Sequence, residues 1–328
     1  MNYKDLFDKF NGLRILVIGD VMLDAYVMGK VNRISPEAPV PIVSLENEDA
    51  RIGGAGNVAL NLLALGAKPI ICGVIGEDSS GDKLLNLFEK NGISTDGLVK
   101  SIARKTTVKT RVISNKQQLL RIDSESTFPL LESEEIKLNN TIQNIINQGI
   151  DGIIFEDYNK GVLTDSVIQN TIKIAKEKDI PTAVDPKKEN FLSYKGVSLF
   201  KPNLKELKEG LNLNFDFNTN KELFEKGIEL LEEKLQNEIS FVTLSENGVF
   251  IKNQTENYYV PAHMRSISDV SGAGDTVIAV ATLCLISGAS TKQIAEISNL
   301  AGGLVCEKSG VVSISKNDLL KEVSELLS

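Results

Sequence analysis

The chain has 328 residues, 42% of them hydrophobic, and a formal net charge of −8 at pH 7, enough to bury one large core or two modest ones. An acidic surplus with no block of Lys or Arg excludes a nucleic-acid or anionic-membrane surface, while a local basic pocket for a small anion stays open. Cys72, Cys284 and Cys306 lie far apart in apolar runs and read as buried thiols of a reducing compartment; one histidine, His263, and no CxxC leave no basis for zinc, Ser-His or Cys-His chemistry.

Residues 1–13 carry charges throughout and lack a signal-type apolar core. No run of about 18 apolar residues follows, so a cytoplasmic protein is expected. Residues 15–18 form a short apolar run ending in Gly19-Asp20, which suits a buried parallel strand. Short strands at 25–30 and 40–45 flank a proline-bearing loop, 32–39, and together read as a small flap. From Gly56 the chain alternates: helix to 65, strand 69–74, helix 81–91. Segments 107–114 and 117–123, joined by Asn115-Lys116, form a hairpin that completes the flap. Alternation resumes with helix 133–148, strand 152–155, helix 164–178 and strands 182–184 and 198–200. A helix at 221–235 precedes strands 241–244, 249–251 and 258–260; helices 273–286, 291–307 and 317–327 close the chain.

Four segments carry candidate chemistry. Asp269-Val-Ser-Gly-Ala-Gly-Asp275-Thr276 opens a helix whose first amides, at Gly272, Ala273 and Gly274, have no partner within it and suit an anion; Asp275 beside them suits a base for an attacking hydroxyl. An ordinary glycine turn with a dipole-stabilised Asp explains the same residues. Gly53-Gly-Ala-Gly-Asn57 satisfies a loose dinucleotide fingerprint, but the polar segment 46–51 separates it from any strand, which argues against NAD. Close approach of a polyhydroxylated ligand, with Asn57 donating and accepting, fits better; a plain helix start is the alternative. Asp24 suits sugar hydroxyls, whereas Asp20 reads as a turn carboxylate. Asn203 and Glu206 form either a capping box or the approach to a magnesium-bound triphosphate. No G-x-x-x-x-G-K-[ST] occurs, so any phosphoryl transfer uses another cradle.

Together, from about Arg14 onward, these segments resemble the ribokinase-like (PfkB-type) sugar kinases. The resemblance implies an α/β fold: a three-layer α/β/α sandwich with a mostly parallel sheet, one kinase domain over 1–328, and a β-sheet lid from about 21–50 and 105–124. Position by position it implies Asp275 as base and the 272–274 amides as anion hole; Asp24, Gly53, Gly54, Asn57 and Asp157 near the sugar, with Lys160 meeting a substrate phosphate. It further implies Asn203 and Glu206 placing phosphate and Mg2+; Thr243, Ser245, Gly248 and Asn299 around the nucleotide; and Asp269 and Ser271 at a monovalent cation such as K+.

Gly19-Asp-Val-Met-Leu-Asp24, 33–41, Gln117-Gln-Leu-Leu-Arg-Ile-Asp123 and Asp157-Tyr-Asn-Lys-Gly161 are similar to the D-glycero-D-manno-heptose 7-phosphate kinases, which implies ATP-dependent phosphorylation of a C1 hydroxyl for ADP-heptose synthesis, here by a stand-alone kinase or an isolated kinase half. Ala25, Val27 and Glu156 depart from that pattern and bear on which sugar is used. Arg33, Lys109, Arg111, Arg121 and Lys160 are the candidates for a substrate phosphate, with solvated surface cations as the alternative. The alternative functions are a kinase of this family for ribose, fructose or a sugar phosphate, and a non-catalytic sensor. Free flap edges imply a homodimer through the lid.

Overall fold

The computed structural model describes residues 2–115, 117–308 and 310–327. After α1 (Tyr3–Asp8) and β1 (Arg14–Gly19) the chain leaves as a hairpin, β2 (Val21–Ile34) and β3 (Pro41–Gly54), and returns through α2 (Ala55–Ala64), β4 (Lys68–Gly76), α3 (Ser79–Lys90) and β5 (Ser94–Ser101). A second excursion, β6 (Thr107–Ser114) and β7 (Gln117–Ser124), precedes α4 (Glu132–Asn147), β8 (Gly152–Glu156), α5 (Asp165–Glu177), β9 (Thr182–Asp185), β10 (Leu199–Phe200), α6 (Leu204–Gly210) and α7 (Lys221–Leu235). The chain closes with β11 (Ile239–Thr243), β12 (Val249–Lys252), β13 (Asn257–Val260), α8 (Ala273–Ile286), α9 (Thr291–Cys306) and α10 (Lys316–Leu326).

Nine strands form the main sheet in the order β13-β12-β11-β10-β9-β8-β1-β4-β5. All pair in parallel except β12 and β13, which add antiparallel at one edge. Strand β1 shows why its sequence is an unbroken apolar run: Ile15 and Val17 enter the core beneath α1, α2, α3, α8, α9 and α10, while Leu16 and Ile18 enter the core beneath α4, α5, α6 and α7. Winding proceeds outward from β1 in both directions, so the crevice between the carboxyl ends of β1 and β8 is the switch point at which such sheets take ligands. The excursions build a separate four-stranded lid, β3-β2-β6-β7, with β2 antiparallel to β3 and parallel to β6. The ribokinase-like architecture is as expected.

Several expectations are corrected. Lid strands β2 and β3 are 14 residues each, not short pieces at 25–30 and 40–45. Segment 46–51 is part of β3; it looks loop-like because much of the strand faces solvent and shows no apolar alternation. The glycines at 53 and 54 are therefore the last two residues of a strand. What separates them from a dinucleotide turn is that β3 is an antiparallel lid strand, not a parallel strand of the main sheet. Strand β5, rich in polar residues at the sheet edge, and α1 were not anticipated. The β6–β7 hairpin is present; of its turn, Asn115 is left-handed at φ 50° and Lys116 lies outside the described residues. All three cysteines are free and buried. Among the described residues no helix is long and apolar enough to cross a membrane.

Candidate active site

Helix α8 is buried continuously from Asp275 to Cys284, so the carboxylate in its first turn is carried into the interior. Gly272 caps it at φ +81°, where a side chain would be strained and its Cβ would come 2.8 Å from Asn57 Nδ2. Asn57 Nδ2 donates to Asp275 Oδ2 at 2.6 Å, and the Tyr158 hydroxyl donates to Oδ1 at 2.9 Å. Burial, with the nearby charge of Asp185, raises the pKa of Asp275; the bonds from Asn57 and Tyr158 pull the other way without cancelling the rise. Of the three expected amides, Ala273 donates to Val270 O at 3.3 Å. Those of Gly272 and Gly274 have no protein acceptor among the described residues and remain for an anion.

The other strand ends bring charge to the same place. Register sets Gly19 beside Glu156 and Glu156 beside Asp185, and carboxylate oxygens of Glu156, Asp185 and Asp275 lie within 4.8 Å of one another. Lys201 Nζ is 2.7 Å from Asp185 Oδ2; Lys187 pairs with Glu206 and stands 3.9 Å from Asp185 Oδ1. Burial lowers the pKa of Lys201, but the charges of Asp185 and Glu206 outweigh it and leave that pKa raised. Four buried carboxylates thus face two ammonium groups. Glu156 is 1% exposed and its Oε2 has no partner among the described residues. Burial, then Asp185 and Asp275, push its pKa well above the usual carboxylate range. An orphaned carboxylate oxygen in an acid-rich pocket is a donor set that fits a hard divalent cation. Asn203 and Glu206 form the capping box of α6: Glu206 N donates to Asn203 Oδ1 and Asn203 N to Glu206 Oε2, both at 2.8 Å. Asp185, Lys187, Lys201 and Tyr158 were missed in the sequence. Asp185 ends an apolar strand just as Asp20 does, and that signal was available.

On the lid side, Asp24 is 5% exposed and accepts from Arg111 Nη1 at 2.5 Å. A Cβ on Gly53 would collide with Asp24 Oδ2; Gly54, at φ +59° and ψ −137°, leaves no room for one beside Asp20 O. Asp20 does serve as a brace, accepting N–H bonds from Tyr158, Lys160 and Val162 at 2.9, 3.1 and 3.3 Å. Burial and the charge of Asp157 push its pKa up to about 6. Asp157 is 1% exposed, and its oxygens accept from Asn159 N, Asn190 Nδ2 and Tyr194 OH, so Glu156, and not Asp157, shares the pocket with Asp275. Among the basic candidates, Lys160 pairs with Glu125 at 2.8 Å, Arg121 with Asp123 at 2.8 Å, and Arg33 is exposed on β2. Lys109 makes no ion pair among the described residues; its Nζ lies 5.3 Å from the Tyr158 ring centroid.

Toward the antiparallel edge, Thr243 bridges to Asn203, Ser245 opens a short turn at φ 54°, and Gly248, at φ +87°, closes it by donating to Ser245 O at 3.1 Å. Asn299 Nδ2 donates to Pro261 O at 2.8 Å. Asp269 accepts from Ser271 N at 2.9 Å and Gly310 N at 3.1 Å, tying together the loops before α8 and after α9.

The bifunctional protein HldE of Helicobacter pylori (strain P12) is 39% identical over 315 residues, 96% of this chain and 67% of that protein. The bifunctional protein HldE of Trichlorobacter lovleyi is 37% identical over 322 residues, 98% of this chain and 65% of that protein. The chain spans about two thirds of the length of these curated relatives. Among solved structures, phosphofructokinase-2 from Escherichia coli in complex with potassium superposes with a TM-score of 0.80 at 20% identity, covering 97% of this chain and all of that one. Arabidopsis thaliana ribokinase complexed with ribose and ATP gives 0.71 at 19% identity, covering 94% and 99%; these likenesses show the fold. Residues 13–318 match the pfkB family carbohydrate kinase description, and with a match of that extent the chain belongs to the pfkB family of carbohydrate kinases, enzymes that transfer a phosphoryl group to an alcohol.

Proposed function

We propose that the chain transfers the γ-phosphoryl group of ATP to the C1 hydroxyl of D-glycero-β-D-manno-heptose 7-phosphate, giving the 1,7-bisphosphate on the route to ADP-heptose. The observation that carries this reading is the buried Asp275, held by Asn57 and Tyr158 beside the unpaired amides of Gly272 and Gly274. Asp275 takes the hydroxyl proton as the sugar oxygen bonds to phosphorus and the bond to ADP breaks. A base whose pKa is raised by burial is the stronger for it. The amides, fixed before reaction, meet the charge that develops on the transferred group, each such donor contributing ~10²–10³ in rate.

Asp24, Gly53, Gly54 and Asn57 line the sugar side in this reading, and Lys160, Arg121 and Arg111 exchange carboxylate partners for the substrate's phosphate. Thr243, Ser245, Gly248 and Asn299 border the nucleotide. Glu156 and Asp185, with Asn203 and Glu206 through water, would hold Mg2+, which when bound offsets the charge of the triphosphate; Asp269 and Ser271 would border K+. We read 1–328 as one kinase domain, working in the cytoplasm as a homodimer. Support for the dimer comes from the free edges of β3 and β7 and from exposed Ile34, Val40, Leu45, Leu120 and Ile122 on the lid.

Screening sugars and sugar phosphates with ATP, read as ADP release, tests the assignment. Heptose 7-phosphate is expected to exceed unphosphorylated heptose and the phosphates of ribose and fructose. A second reading, a family kinase for another sugar, is favoured by Ala25, Val27 and Glu156 near the lid and the pocket, and a stronger response to ribose or fructose would establish it. No ADP release with any sugar would leave the sensor.

A further inference from the structure

Tyr158 joins the lid to the catalytic carboxylate. Its backbone N–H is fixed on Asp20 at 2.9 Å, and its hydroxyl donates to Asp275 Oδ1 at 2.9 Å. Two ammonium groups lie near its ring: Lys187, from the main body, 5.6 Å from the centroid, and Lys109, from lid strand β6, at 5.3 Å. Lys187 is anchored by Glu206. Lys109 is not anchored by any carboxylate among the described residues, unlike the neighbouring lid residues Arg111 and Arg121. The aromatic face of Tyr158 is therefore the close partner that the main body offers it. Register opposes Lys109 to Asp24 on β2 and Asp123 on β7, so a lid displaced from the sheet would carry Lys109 away with the strand.

We propose that Tyr158 is a positioning residue that couples lid closure to the base: Lys109 settles on the ring when the lid is down, and the ring's hydroxyl then holds Asp275 in the orientation that accepts the sugar proton. The proposal rests on the reading of Asp275 as the base, and it is independent of which sugar is phosphorylated. A small misplacement of a catalytic group is enough to slow turnover on the order of 10²-fold.

The test is a double-mutant cycle in kcat and KM on the full chain, with ATP and heptose 7-phosphate, or whichever sugar the screen selects. Tyr158→Phe is expected to lower kcat by roughly 10–100-fold with KM for ATP within about twofold. Lys109→Met is expected to lower kcat less, Lys109→Arg to restore it, and the Tyr158→Phe/Lys109→Met double variant to be no slower than Tyr158→Phe alone. Single losses that multiply in the double variant would overturn the coupling, as would kcat within twofold of wild type for Tyr158→Phe. If Tyr158→Phe does not fold, the Lys109→Met and Lys109→Arg pair decides: equal kcat in both overturns the proposal. An Asp275→Asn control separates the two layers. Turnover within about tenfold of wild type by that variant overturns the base reading and the coupling with it, whereas a control slowed more than that beside a fully active Tyr158→Phe overturns the coupling alone.

Discussion

Asp275→Asn removes the proposed base while keeping its volume. In the wild type both Asn57 Nδ2 and Tyr158 OH donate to the carboxylate, one to each oxygen. An amide keeps both contacts, its oxygen accepting from Asn57 Nδ2 and its NH2 donating to the Tyr158 hydroxyl oxygen, but as neutral bonds in place of bonds to a carboxylate, a loss of about 1 kcal/mol. Against that, the substitution removes a carboxylate from within 4.8 Å of those of Glu156 and Asp185, relieving like-charge repulsion in a buried pocket. The two effects oppose, and the folded state is expected to change by less than about 2 kcal/mol. Catalysis has no such offset: losing the proton acceptor costs ~10²–10⁴ in rate. The assay is ADP release at saturating ATP and sugar, with ATP affinity by calorimetry and stability by thermal melting on the same preparation. The expected result is near-abolished turnover with ATP affinity and fold retained. Turnover within about tenfold of wild type in a folded variant would refute the reasoning.

Gly53→Ala would drive a methyl group into Asp24 Oδ2 and to 3.1 Å from Met22 Cγ; KM for the sugar should rise at least tenfold, by about 1.4 kcal/mol or more, with KM for ATP unchanged, and equal effects on both substrates would contradict the placement. Asp20, with its pKa pushed up to about 6, holds its proton in the folded chain after the unfolded chain has released it at about 4. Wild-type stability should therefore fall, relative to Asp20→Asn, by up to about 3 kcal/mol as pH rises from about 4 to 6; urea unfolding at a series of pH values checks this, and a constant difference across the window would disprove it. Leu120→Glu combined with Ile122→Glu places charge on the exposed lid strand and should convert a dimer to a 35.8 kDa monomer in light scattering; a wild-type mass that is already monomeric at every concentration would remove the dimer.

Much of the architecture was legible because its signals are local. Apolar runs such as 15–18 and 152–155 stand where strands are buried on both faces, and the all-round apolar α8 could only be an interior helix. The lid was harder to delimit, since strands exposed to solvent for much of their length carry no apolar alternation, and β3 was read as a short strand followed by a polar segment. Glycines at 53, 54 and 272 and the carboxylate at 275 were singled out from spacing alone, because a helix start with unpaired amides is written in consecutive residues.

What the sequence by itself determined, then, is the order of elements apart from α1 and β5, the two glycine-bearing helix starts and the family they resemble. The tertiary structure alone decided which side chains share the pocket. Asn57 and Asp275 are 218 positions apart, and Tyr158 and Asp275 are 117 apart; the parallel register that sets Glu156 beside Asp185 is fixed by packing of both sheet faces. Adjacent residues part company for the same reason: successive side chains about a strand end point to opposite sides, so Asp157 is bound to Asn190 and Tyr194 while Glu156 and Tyr158 reach toward the base.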